Sequence, residues 1–259
     1  MPRSPSRAPR AVLSAVVPLT LRALARGGAG GLRGYARALR AACAGSPPPF
    51  GRFWYGERFR RLARDPDWLA RALVDNAAKE GEGARKLWRL AGRTADPLIA
   101  DQVRQHAVDE SRHALIYVAM LETVFPGVVS SRLRATLVRT SPRYRLRDRP
   151  PGHAPLPGRR VLDELIQMNL GEIRTRINQA LMGPVVRAYC PPAGRRRLAR
   201  MLRSLMDDET RHVAYTARIL EHAIAEGRGD FVRRTMAHRL SQFNRLTERE
   251  VGGHRHGAT

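Results

Sequence analysis

The chain has 259 residues and a formal net charge of +24, long enough for one substantial core or two smaller ones. No uninterrupted apolar run of about 18 residues occurs, which excludes a helical membrane span. Of its basic residues 45 are Arg and only Lys79 and Lys86 are Lys, beside abundant Ala, Gly and Pro. That bias fits GC-rich coding, and with no recognised binding motif or basic and aromatic alternation the charge does not argue for a nucleic-acid partner.

Residues 1–64 hold 13 Arg and one acid, Glu57, with Gly and Pro clusters at 27–31 and 46–50. This stretch reads as a basic N-terminal arm with one or two short helices. Within it, 11–25 has a basic leader, an apolar run and a small-x-small ending, like a signal or transit peptide, but Pro18 and Arg22 interrupt it. An amphipathic helix lying on the domain or on a membrane surface is the preferred reading. Cys43 and Cys190 stand alone, without a Cys-x-x-Cys pair. A disulfide framework, a zinc ribbon and a rubredoxin-like site are therefore unsupported, and a reducing cytoplasm fits.

From residue 65 the apolar periodicity is helical. The first long helix takes Asp65 as N-cap and Pro66 at its first position, and ends at Gly92. The second opens at Pro97 and stops before Pro126. A Pro- and Arg-rich connection, 126–158, precedes a third helix over about 159–182, expected to halt at Gly183-Pro184. A fourth runs from after 191–194 to Gly227, and a fifth covers about 230–248. The polar tail 251–259, with its His254-Arg255-His256, reads as disordered. Helix, helix, long crossover, helix, helix, with additional N- and C-terminal helices, is an all-α chain with the connectivity of a ferritin-like four-helix bundle over 65–250.

Two short segments carry the chemistry. Asp109-Glu110-Ser111-Arg112-His113 and Asp208-Glu209-Thr210-Arg211-His212 both read Asp-Glu-x-x-His. In a helix each Glu and His three apart lie on nearly one face, so each pair can present an oxygen and a nitrogen to one point. A single such pair is usually an exposed polar face. Here both pairs share a stripe with apolar residues, Val103, Ala107, Tyr117 and Leu121 in one helix, Leu202, Leu205 and Val213 in the other. Unpaired charge there would be costly, and a metal removes the cost.

The other two helices should each supply one inward carboxylate. Glu80 shares a stripe with Leu73, Ala77 and Leu87, whereas Glu82 sits among Asp75, Lys79 and Lys86. Glu172 lies near Leu165 and Met168 with Gly171 beside it, and is preferred to Glu164. Glu80, Glu110, His113, Glu172, Glu209 and His212 make four carboxylates and two imidazoles, a set that suits two iron ions, with manganese as a substitute, better than zinc. Asp109 and Asp208, each one turn before a ligand His, are expected to hold the imidazoles crosswise, Asp208 to His113 and Asp109 to His212. Tyr117 and Thr216, one turn after the two histidines, are candidates for a catalytic cavity wall, and either could equally be core.

Two consecutive units of Glu, about 30 residues, then Asp-Glu-x-x-His resemble the signature of the di-iron arylamine N-oxygenases, the p-aminobenzoate N-oxygenase type within the ferritin-like superfamily. By helix order the likeness covers residues 66 to about 226, and its specific content is the two units. The resemblance implies two irons held by those six residues, O2 activation, and oxidation of aromatic amines. Those enzymes have a third histidine ligand one turn before the second Glu-x-x-His; here that position is Leu205, while His106 stands one turn before Glu110. His106 is thus either a seventh ligand or a core histidine bonding its neighbours, the second being preferred. The departure bears on the substrate more than on the metal.

The leading expectation is a non-heme di-iron oxygenase that uses O2 to oxidise a small organic substrate, such as an amine. No flavin fingerprint or Cys cluster is visible, so electrons must come from an external donor. Ferroxidase or rubrerythrin-like peroxide chemistry is the alternative enzyme, and a metal-free helical interaction protein the alternative of another class. The oligomeric state is not fixed by the sequence, which is compatible with a homodimer.

Overall fold

The computed structural model describes residues 16–252, all helices and connections, with no strand among the described residues. The helices are α1 (Val16–Arg26), α2 (Arg33–Gly45), α3 (Phe53–Leu62), α4 (Pro66–Ala91), α5 (Pro97–Val124), α6 (Ser131–Thr140), α7 (Gly158–Tyr189), α8 (Arg195–Ala223) and α9 (Gly229–Gly252). None is long and apolar enough to cross a membrane.

Local chemistry sets the ends of the two helices that open the bundle. Asp65 accepts from the Asp67 N–H at 2.9 Å, and Asp96 from the Leu98 and Ile99 N–H groups at 2.9 and 3.0 Å. Pro66 and Pro97 follow at N1, where the missing N–H costs nothing. Each such cap contributes about 1 kcal/mol. Between α8 and α9 the chain reverses at Gly227, whose φ of +85° a side chain would strain.

One sequence expectation about elements is corrected and one connection gains detail. The third long helix does not halt at Gly183-Pro184 but runs on to Tyr189. Proline removes one helical N–H bond, and the turn beyond it is held by burial of Met182, Val186 and Cys190 against Leu69, Leu73 and Leu198. The connection after α5 is not wholly irregular, because it contains α6, capped by the Ser130 hydroxyl accepting from the Leu133 N–H. The rest of that connection is pinned to the bundle. Ser111 Oγ donates to the Pro142 carbonyl at 2.9 Å, and Tyr144 stacks on Trp88 with ring centroids 4.2 Å apart.

Helices α4, α5, α7 and α8 form the centre, α4 packed along α5, α7 along α8, and α5 against α8. The arm does not stand apart from them. Helix α2 packs on α9 and α8, α1 on α2 and α8, α3 on α7, and α9 on α7. Val16, Leu24, Tyr35 and Leu39 bury into the same cluster as Val103, Leu165, Ile166 and Leu220. Of the leader-like segment, 16–25 lies within α1 and 11–15 falls outside the described residues. Of the tail, Val251 and Gly252 end α9, and His254-Arg255-His256 falls outside them.

The core is split along its length. One cluster gathers Leu87, Ala107, Leu165, Leu170, Val213 and Ala217; the other gathers Leu73, Ala77, Tyr117, Leu121, Leu202 and Leu205. On each long helix the change from one cluster to the other falls around the acids and histidines, so a polar layer lies between two apolar ones.

Candidate metal centre

Glu80, Glu110, His113, Glu209 and His212 are all buried, and Glu172 keeps 13 % side-chain exposure. Glu82 instead pairs with Lys86 at 2.6 Å on the surface, and Glu164 pairs with Arg160 at 3.3 Å. His113 Nδ1 lies 3.5 Å from Glu110 and 3.6 Å from Glu209; His212 Nδ1 lies 3.5 Å from Glu110, 3.8 Å from Glu209 and 4.0 Å from Glu172. The structure therefore brings the six residues to one place.

Two groups of side chains there can each hold a metal ion, His106 with Glu110, Glu172 and His212, and Glu80 with Glu110 and His113. They share Glu110, and Glu209 stands beside both His113 and His212. The buried atoms His113 Nδ1, His212 Nδ1 and Glu209 Oε2 have no hydrogen-bond partner. Leaving three such atoms unmatched is expensive, and a cation among them is the economical remedy. The donor set, carboxylate oxygens with neutral imidazoles, suits iron or manganese.

The opposite nitrogens of the two imidazoles are spoken for. His113 Nε2 pairs with Asp208 Oδ2 at 3.0 Å, and His212 Nε2 with Asp109 Oδ2 at 3.3 Å, each aspartate reaching across to the other helix. Two arginines complete the layer. Arg112 donates to Asp109 at 3.1 Å and to Asp208 at 2.5 Å; Arg211 donates to both at 2.7 Å. Burial raises the Asp109 and Asp208 pKa values, but the histidine and arginine hydrogen bonds win and hold both carboxyls below the usual range. The aspartates stay charged, which fixes Nε2 as the protonated nitrogen and turns Nδ1 inward.

His106 is completely enclosed and sits in the same layer. Its Nδ1 meets the Tyr215 hydroxyl at 2.9 Å, its Nε2 lies 3.2 Å from Glu110 and 3.3 Å from Glu172, and its ring stacks on His212 with centroids 3.6 Å apart. It bonds its neighbours, as the preferred reading had it, and its Nε2 also faces the inward carboxylates as a ligand's would. Its presence separates the other two imidazoles. Burial lowers His113, yet Asp208 and Glu110 carry it up to about 9. His212 falls to about 4, first through burial and then through the charge of His106. Among the carboxyls, burial and neighbouring carboxylates push Glu80 and Glu209 well up.

Two cavities open from the centre on the side between α4 and α7. One, about 790 Å³, has Leu69, Tyr117, Gln179 and Met182 in its buried wall and reaches Glu80, Glu110 and Glu172. The other, about 850 Å³, has Leu87, Leu90 and Met168 in its wall with Arg89, Arg93 and Arg160 at an exposed rim, shares Lys86 with the first, and reaches Glu110 and Glu172. Tyr117 belongs to the wall of the first and to the apolar cluster behind it. Thr216 is in neither wall; its hydroxyl donates to the His212 carbonyl at 2.7 Å and accepts from Asn169 at 2.8 Å, and Asn169 in turn accepts from Tyr35 of α2 at 2.9 Å. Thr216 is a buried core residue that links the arm to the back of α8, the other of its two readings.

Sequence reasoning missed Arg112, Arg211, Tyr215 and Gln179, whose amide donates to Glu209 at 3.0 Å. The arginines had a readable signal, since both units carry Arg immediately before His. Tyr215 and Gln179 had none, because only the packing of separate helices brings them near the acids. Comparison of the chain with family models, curated proteins and solved structures gives no match.

Proposed function

We propose that the chain is a ferritin-like, non-heme di-iron oxygenase that uses O2 and an external electron donor to oxidise a small organic substrate, with N-oxygenation of an amine as the finer reading. One observation carries this: three buried carboxylates, the partly exposed Glu172 and three imidazoles gather around Glu110, with two imidazole Nδ1 atoms unpartnered and pointing inward. Iron held there supplies O2 binding and reduction at a Lewis-acidic pair.

The protein's own part is geometric and electrostatic. Glu80, Glu110 and His113 would hold one ion and His106, Glu110, Glu172 and His212 the other, with Glu209 beside both His113 and His212. Asp208 and Asp109 hold the imidazole tautomers, and Arg112 and Arg211 keep those aspartates ionised. Leu73, Leu121, Leu165 and Ile166 lie in the apolar clusters on either side of the layer, and the two cavities reach the acids from the α4 and α7 side.

Anaerobic loading with Fe(II), iron analysis, then exposure to 18O2 with candidate amines tests the reading. The expected result is about two iron per chain and an 18O-labelled product. Iron oxidation with no organic product under any candidate would transfer the assignment to the ferroxidase alternative. Glu110→Ala binding as much iron as the wild type would remove the centre altogether.

A further inference from the structure

Gly171 sits in the interior of α7, immediately before Glu172. A glycine inside a helix costs stability relative to alanine, so one that stays there has a reason. The ordinary reasons are absent. Its φ is not positive, and a Cβ built on it would meet nothing within 4 Å. Neither the backbone nor a close neighbour requires it. Among the glycines facing the centre, Gly83 differs, since its Cβ would come 3.6 Å from Glu110 Oε2. What Gly171 provides is space, and the space has an address: it lies in the wall of both cavities, where they meet Glu110 and Glu172.

The two cavities differ in how far they reach into the centre. The Tyr117 cavity has a buried wall of Leu69, Tyr117 and Met182 with Gln179 as a polar group; apart from the inward acids its charged residues are Arg71, Asp75, Lys79, Lys86 and Glu250, all exposed at the rim, and the half-buried Arg174. It touches three inward carboxylates, and the other cavity touches two. Ligand sites are mostly apolar and concave with few polar groups, and the Tyr117 cavity fits that description.

We propose that the Tyr117 cavity is the substrate chamber, that it takes a small, mostly apolar organic molecule, and that Gly171 sets the size of molecule able to reach the Glu110 and Glu172 edge. The assignment of a substrate rests on the oxygenase reading; the existence and size limit of the chamber do not. Gly171 is a specificity-determining residue, and removing its open space with a side chain leaves the metal ligands untouched.

The probe is 6-fluoroindole, read by fluorine-19 NMR on the full-length metal-free protein, with iron loading measured separately. Wild type is expected to bind it saturably. Gly171→Leu is expected to weaken binding by about 10-fold or more, Gly171→Ala by a smaller factor. Both variants should load iron like wild type, and Gly171→Ala should melt at a higher temperature, because the helix gains and no contact is lost. A purely structural glycine would give the opposite melting result. Gln167→Leu, which changes only the wall of the second cavity, should leave binding unchanged. Absence of saturable binding in wild type, or equal binding in folded Gly171→Leu, overturns the chamber. Loss of probe affinity in Gln167→Leu, with or without loss in Gly171→Leu, places the probe in the other cavity and also overturns it. Failure of wild type to load iron overturns the oxygenase reading and leaves the chamber result standing.

Discussion

The two halves of the centre, α4 with α5 and α7 with α8, are copies in one respect and not in another. Each contributes a lone Glu, then Asp-Glu-x-Arg-His, and the aspartates, arginines and histidines interlock crosswise with nearly matching distances. One turn before the Glu, however, one half has His106 in the polar layer and the other has Leu205 in the apolar cluster. One turn after the His, one half has Tyr117 in a cavity wall and the other has Thr216 tied to Asn169. The duplicated part is the part that must neutralise buried charge, where each half satisfies the other. The divergent part faces a cavity on one side and the arm on the other, and there the two halves have different work to do.

Breaking the shared element should have the largest effect. Glu110 belongs to both groups, so Glu110→Ala is expected to lose both ions, whereas His113→Ala and His212→Ala should each lose one; iron stoichiometry by elemental analysis distinguishes these. Next come the crosswise aspartates. Asp109→Asn and Asp208→Asn should each lower iron affinity by about 10- to 100-fold while the circular dichroism stays helical. A large effect in one and none in the other would break the symmetry claimed here.

The asymmetry can be erased by His106→Leu, which copies Leu205. The ion position with His212 should weaken by about tenfold and the position with His113 should not, a difference visible as unequal filling in an iron titration followed by Mössbauer spectroscopy. In the metal-free variant the His212 imidazole should titrate above about 4, because burial and the charge of His106 together hold it down and the substitution removes the charge; NMR titration measures this.

The smallest effect concerns Arg112 and Arg211, whose side chains are about half exposed, 48 % and 49 %. Either one changed to Ala should cost about 1 kcal/mol or less of stability, because solvent screens the pair and the other arginine still bridges both aspartates. The acid limb sharpens this. Asp109 and Asp208 have folded pKa values below the unfolded value of about 3.9. The stability they contribute is therefore present above about pH 4 and is lost as pH falls through the depressed values. Each arginine variant should move that loss to higher pH, as read by acid denaturation of the metal-free protein; an unchanged midpoint would remove the arginines from the account.

Much of this was readable residue by residue. Asp65-Pro66 and Asp96-Pro97 specify helix starts through local capping, and the stripe around Glu80 separated it from Glu82 because burial on a helix follows the 3.6-residue period. The crosswise reach of Asp109 and Asp208 followed from the need of a buried imidazole for a partner on its second nitrogen. Pro184 was misread because a helix stop signal is local, while the burial of Met182, Val186 and Cys190 that overrides it comes from α4 and α8. The helix position of Thr216 left wall and core open for the same reason: only the packing of α7 brings Asn169 against it.

By itself the sequence determined the all-helical class, the order of the four long helices and the inward acids and histidines, because capping and periodicity act within a few residues along one helix. The tertiary structure alone decided that α1 to α3 and α9 share the core, that Arg112 and Arg211 each bridge both aspartates, that His106 stacks on His212, and that space opens between α4 and α7 beside Gly171. Those facts depend on how separate helices are rotated and spaced against one another. No short-range pattern encodes that, since it is the summed burial of apolar faces drawn from the whole chain that fixes it.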